Sequence, residues 1–160
     1  MEYFEHYQAE QIDEFNYCFF SVGVRGKFNI IVRFTKMGEN IYNLGFGVVD
    51  EEFDWLDDRV ELRNGDSQII LATVANVVLS FLDEHPTASV FATGSTTSRT
   101  RLYQMGISRI LPVITGYEIA GYVAERNEHG NLPHPFTIWK GEWCAFRSGI
   151  SFDAFLIYKQ

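Results

Sequence analysis

The sequence predicts an α+β domain with a mixed sheet in the order β-β-β-α-β-α-β-β, and three observations carry that prediction. Within residues 17–48, a first strand-like segment is followed by two that alternate apolar with polar or small side chains, the period of a half-buried strand. Ile70, Val74, Val77, Val78 and Phe81 then recur at the 3.6-residue period of a helix. After that helix, Thr87 to Thr93 is short, apolar and β-branched, as a buried strand reached by a crossover would be.

The elements follow in order. Residues 17–24 read as a strand and Arg25-Gly26-Lys27 as its turn. In the next strand Phe28, Ile30, Val32 and Phe34 share one face, with Asn29 and Arg33 on the other. Met37 to Asn40 supplies a second turn, after which Tyr42, Leu44, Phe46 and Val48 alternate with Asn43, Gly45 and Gly47. The two glycines fit a twisted strand packed by a large neighbour, or a close backbone approach. Asn64-Gly65 marks a turn, Asp66 or Ser67 is the expected cap of the first helix, and Pro86 stops it after His85. Gly94 breaks the buried strand, and Ser95 to Ser98 offer caps for a second helix that carries Leu102, Met105 and Ile110 and ends near Pro112. Gly106 weakens that helix locally. Tyr117 to Ala124 reads as a strand, residues 127–135 as an exposed loop, and Phe152 to Tyr158 as the last strand, paired with 117–124. Phe136 to Trp143 shows no decisive pattern.

Composition bounds the function. The 160 residues are 46% hydrophobic and 21% charged, which fits one folded domain over residues 1–160 and excludes disorder or a collagen-like fibre. No run of 18 apolar residues is found and the first 14 residues are acidic, so the expected address is the cytoplasm, with no membrane partner. Cys18 and Cys144 are far apart and lack a CxxC partner, so both are expected to be buried free thiols, with no metal and no cofactor. The net charge of −8 is concentrated. An acidic N-terminal segment, 1–16, holds Glu2, Glu5, Glu10, Asp13 and Glu14; residues 50–66 hold eight acids against Arg59 and Arg63. Residues 87–116 hold three arginines and no acid. An acidic whole disfavours tight non-specific binding to a nucleic-acid backbone, whereas a local site for one or a few phosphates fits.

The stretch from Thr93 to Tyr103 is the candidate site. A glycine, five hydroxyls and two arginines lie between a buried strand and a helix start: Gly94, Ser95, Thr96, Thr97, Ser98, Arg99, Thr100 and Arg101. Open backbone N–H groups at a helix N-terminus, hydroxyl donors and a guanidinium fork all favour an anion. The spacing is neither that of a Walker loop nor GxGxxG. Two readings stay open. In one, Gly94, Ser95, Thr96, Thr97, Ser98, Arg99, Arg101 and Tyr103 bind a phosphate-bearing small molecule or a short nucleic acid. In the other, the hydroxyls cap the helix, Arg99 and Arg101 pair with acids of 50–66, and the protein is an interaction module, as a homo-oligomer. An enzyme comes third, with Ser95, Arg99, Arg101 and Tyr103 as the group to inspect and no base assigned. His129 and His134 form a poor metal site, and 50–66 lacks a calcium-loop pattern.

The same stretch, G-S-T-x-x-R-T-R-L-Y from Gly94 to Tyr103, resembles a family of uncharacterised small bacterial proteins, and Phe152 to Leu156 is a weaker second match. The resemblance runs through most of the chain after residue 17, with extra residues between Pro135 and Phe152. It implies kinship and bacterial origin, and supplies no activity and no catalytic residue.

The element order is also that of a ribonuclease-H-like core, an analogy of fold alone. Such nucleases clamp two metal ions with carboxylates on the first strand, first helix and fourth strand. Residues 17–24 and 68–82 contain no acid and the fourth strand ends at Thr93-Gly94, so two-metal hydrolysis is not expected.

Overall fold

The computed structural model describes residues 4–50, 55–57, 64–94 and 96–160. Its strands are β1 (Glu10–Asp13), β2 (Asn16–Gly23), β3 (Gly26–Gly38), β4 (Ile41–Asp50), β5 (Trp55–Asp57), β6 (Ser89–Ala92), β7 (Tyr117–Ala124), β8 (Gly141–Ala145) and β9 (Ala154–Lys159). Two helices, α1 (Ser67–Glu84) and α2 (Thr97–Ile110), complete the α+β fold. The main elements follow the expected order, and the short strands β1, β5 and β8 are additions to it.

The sheet runs β1-β2-β3-β4-β6-β9-β7-β8, with β5 paired to the far half of β4. β2, β3 and β4 form an antiparallel meander, and Asn40 makes its second turn with a left-handed φ of 59°, which asparagine tolerates. β6 joins β4 in parallel through α1, so the sheet is mixed. The strand β9 pairs with β7, as its pattern predicts, and inserts between β7 and β6. Because β6 lies beside β4, the last meander strand, the likeness to a ribonuclease-H-like core concerns element order along the chain and not strand order in the sheet.

Both helices cover one face. Alternation turns Ile30, Val32 and Phe34 of β3, Leu44 and Phe46 of β4, and Val90 and Ala92 of β6 toward α1 and α2. Phe81 of α1 is fully buried, stacks on Phe34 with centroids 4.0 Å apart and meets Tyr42 edge-on. Burying one such ring stabilises the fold by about 2–3 kcal/mol. The helix α1 is long and apolar enough to cross a membrane by length and composition; its apolarity is accounted for here by contact with the sheet and α2. Gly106 of α2 packs toward α1, where an added methyl would meet Leu71 at 3.6 Å, an ordinary contact. Cys18 and Cys144 are free thiols, half-buried where full burial was expected.

Asp66 occupies the N-cap position of α1, but its carboxylate does not cap the helix. Its Oδ2 accepts hydrogen bonds from Tyr7 Oη (2.6 Å) and Ser21 Oγ (2.5 Å), and Oδ1 is buried without a partner among the described residues. Asn64 donates to Ser21 Oγ and to the Gly26 carbonyl and accepts from the Arg25 N–H. The expected cap is therefore a buried polar knot that ties the N-terminal segment and the β2–β3 hairpin to the start of α1.

At the other end of α1, His85 stacks on Phe81 at 4.3 Å, donates from Nδ1 to the Phe81 carbonyl, and pairs through Nε2 with Glu14. Burial lowers its pKa, but the hydrogen bonds to Glu14 and the Phe81 carbonyl outweigh burial and leave it raised above 6.5. A helix C-terminus also favours the cation. Since the folded pKa exceeds the unfolded one, this contribution is complete below about pH 6.5 and is lost as pH rises through the folded value. Urea unfolding is expected to show the chain exceeding its His85→Asn variant in stability by about 1 kcal/mol more at pH 5.5 than at pH 9; an equal difference at both would contradict the assignment.

Candidate functional site

The parallel strand β6 ends at Ala92, and Thr93 and Gly94 carry the chain into the first turn of α2. Gly94 lies against that turn: a Cβ there would come within 2.4 Å of the Thr100 nitrogen, so only glycine fits. Thr96 is the N-cap, its hydroxyl accepting from the Arg99 N–H at 3.2 Å. Thr100 is buried; its hydroxyl accepts from the Gly94 N–H and donates to the Thr96 carbonyl. The hydroxyls of Thr96 and Thr100 thus build the turn. Among the described residues, the N–H groups of Thr97 and Ser98 have no partner and point away from the helix body, where the macrodipole favours negative charge.

This turn forms one wall of a cleft of about 350 Å³ lined also by residues from three later segments. Arg126 follows β7, Leu132 to Trp139 come from the 127–140 segment, and Ser151 to Asp153 precede β9. Gln104 of α2 holds the last of these, donating to the Ile150 carbonyl at 2.6 Å and accepting from the Phe152 N–H at 3.0 Å. Gly121 of β7 makes room for the Phe152 ring, which a Cβ would approach within 2.3 Å.

Asp153 organises the cleft floor. Its side chain is buried, its Oδ2 accepts from the Ala124 N–H at 2.8 Å, and both oxygens take the Arg126 guanidinium, Nη2 to Oδ1 at 2.8 Å and Nη1 to Oδ2 at 3.0 Å. Its own carbonyl accepts from the Thr93 hydroxyl, and its N–H donates to the Tyr122 carbonyl. Hydrogen bonding to Asp153 prevails over burial and raises the Arg126 pKa above its already high ordinary value. Arg126 also donates from Nη1 to the Ala124 carbonyl, at 3.3 Å. A guanidinium has five N–H donors, and three are now assigned. Among the described residues the Nε–H and the second Nη2–H have no acceptor, and they form the side edge of the fork, the second edge able to hold an oxyanion with two bonds.

The face of the sheet opposite the helices carries rings. Phe91 and Phe136 have centroids 5.4 Å apart, Tyr122 and Trp143 4.9 Å, and Trp139 lies parallel to Tyr122 at 6.5 Å. The Trp139 Nε1–H donates to the Pro133 carbonyl at 2.7 Å, which fixes the indole. Phe136 and Trp139 also line the cleft and give it an apolar wall as well as the polar one.

Of the residues expected to bind a ligand, Gly94, Thr96, Thr97 and Arg101 line the cleft. Ser95 lies outside the described residues. Ser98 and the half-buried Arg99 sit in the same first turn, without lining the cleft. Tyr103 is in the core, 8% exposed, with its ring 5.4 Å from Phe46. Arg101 is exposed and has no hydrogen-bond or ion-pair partner among the described residues. The acids at 51, 52, 54, 58 and 61, offered as partners in the ion-pair reading, also fall outside the described residues.

Sequence reasoning missed Arg126, Gln104, Trp139 and Asp153. One signal was present for Asp153, a lone acid at the start of the apolar run Phe152 to Tyr158, because a buried carboxylate needs a cation. Among the described residues no group of three or more His, Cys, Asp or Glu side chains is placed to hold a metal ion.

The chain belongs to the Family of unknown function (DUF6934), which matches residues 3–160. Comparison with curated proteins gave no match, and comparison with solved structures gave none.

Asp153→Ala would leave the buried Ala124 N–H without an acceptor and free the Arg126 fork, an expected loss of about 1–3 kcal/mol in denaturant unfolding. Arg101→Ala is expected to stay within about 0.5 kcal/mol of the parent. A reversed order would show that the pair does not hold the cleft together.

Proposed function

We propose that this protein is a small cytoplasmic binding protein whose cleft at the start of α2 holds a phosphate-bearing small molecule, and that the Gly94 to Tyr103 motif is the signature of the binding turn. The observation that carries this reading is that Arg101, from the motif, and Arg126, from the end of β7, line one cleft together with the first turn of α2. The lining acid, Asp153, is committed to Arg126 and the Ala124 N–H, so Arg101 is the cation in excess. A phosphate here would meet a guanidinium fork, the open Thr97 backbone N–H and the Thr97 hydroxyl, each a donor of the strong, charge-assisted kind. The location agrees with the tendency of sheet proteins to bind ligands beyond the carboxyl end of a parallel strand, here β6.

Arg101→Ala tests the reading, because it removes one guanidinium and disturbs no contact that holds the fold. Calorimetric titration with inorganic phosphate and with ribose 5-phosphate is expected to show binding that weakens as salt rises and that falls at least about tenfold in the variant, given about 1.5–3 kcal/mol for a charge-assisted hydrogen bond. Equal affinity in parent and variant, or no binding of either compound by the parent, would overturn it.

A further inference from the structure

We infer that the ligand of this cleft carries a flat aromatic ring next to its phosphate, which makes its class a nucleoside monophosphate. The inference rests on the phosphate reading above and adds the cleft's second wall to it. Leu132, Pro133, Phe136 and Trp139 give that wall an apolar, aromatic surface in the same cleft as the hydroxyls and arginines. A volume of about 350 Å³ falls in the range of about 300–1,000 Å³ typical of small-molecule sites, and a lone phosphate would fill only a small part of it.

The rings are set in place by the protein itself. Trp139 is fixed by its bond to the Pro133 carbonyl and by the contact of the Tyr122 hydroxyl with its own carbonyl at 3.4 Å; Phe136 is stacked on Phe91 and stands edge-on to Trp139 at 6.2 Å. Both rings remain half-buried and keep surface toward the cleft. Stacking on a ring whose orientation is already fixed avoids the ordering cost that a mobile side chain would impose.

The polar end is set in the same manner. Asp153 takes the Nη1/Nη2 edge of Arg126 and holds the fork rigid, which leaves the Nε/Nη2 edge for an oxyanion with two parallel bonds. A ligand lying across the cleft would therefore place a phosphate between Arg126 and Arg101 and a planar base on the Phe136–Trp139 wall. A longer nucleic-acid strand fits less well, because a chain of net charge −8 repels the phosphates that would continue past the cleft.

The test is a calorimetric comparison of four probes on the full chain: inorganic phosphate, ribose 5-phosphate, adenosine and adenosine 5′-monophosphate. The mononucleotide is expected to bind about tenfold to a hundredfold more tightly than ribose 5-phosphate, the range that one base-on-aromatic stack provides. Trp139→Leu keeps an apolar side chain and removes the indole face; it should erase that advantage and leave the ribose 5-phosphate affinity unchanged. If Trp139→Leu lowers the melting temperature too far to be titrated, Phe136→Leu carries the same comparison. Equal binding of the mononucleotide and ribose 5-phosphate by the parent, or an advantage that survives both variants, would overturn the aromatic class and leave the phosphate reading standing. Binding of adenosine with no gain from its phosphate would overturn the phosphate reading, and so would failure of every phosphate compound; the inference falls with it in either case.

Discussion

The Asp153 carboxylate is the constraint on which the cleft depends. It sits where β9 begins and is buried, so it needs partners, and it finds them in the Ala124 N–H at the end of β7 and in Arg126 two residues later. Its backbone adds a bond to Thr93 at the end of β6 and one to Tyr122. One residue thereby fixes the ends of three neighbouring strands, β6, β9 and β7. Asp153 is the buried member and Arg126 is partly exposed, so the cost of removing the carboxylate falls on the buried Ala124 N–H that loses its acceptor, and this holds the strand ends in register.

From that floor the two walls rise on opposite faces of the sheet. The helix face supplies α2, whose first turn is pressed against Gly94 closely enough to exclude any side chain. The other face supplies the 131–139 segment, anchored by rings on Phe91 and Tyr122. The cleft is the space left where both covers overrun the strand ends. Its chemistry follows from its construction, with donors and hydroxyls on the helix side and rings on the other. Gln104 ties α2 to the segment before β9 by clasping the backbone on both sides of Ser151.

The fold was legible to the extent that its elements are periodic. The alternation of Phe28, Ile30, Val32 and Phe34, and the helical recurrence from Ile70 to Phe81, report burial on one face, which is the property that positions β3 and α1. β1, β5 and β8 are three to five residues long, too short for a period to emerge, and owe their conformation to the strands they join. Asp66 stands at the expected N-cap position of α1, but its carboxylate has a stronger use than capping, bonding to Tyr7 and Ser21, and those partners lie 45 or more positions away. Half of the candidate site was readable for the reason that it is local: the glycine, the cap and Arg101 lie within eight residues. The other half comes from Arg126, Trp139 and Asp153, which only the sheet order brings to the same place. Tyr103 belonged to the motif by adjacency, yet the helical turn from Arg101 to Tyr103 points it into the core.

The central claim is that a rigid Arg126 fork, held by Asp153, and the first turn of α2 receive the same anion. Its most direct measurement is a nitrogen-15 NMR titration with inorganic phosphate, following the Arg126 Nε–H together with the Thr97 amide. The account predicts that both shift along one binding curve, while resonances in the Tyr7–Asp66–Ser21 knot stay in place. Shifts confined to other parts of the chain, or an Arg126 Nε–H that does not respond while the Thr97 amide does, would contradict it.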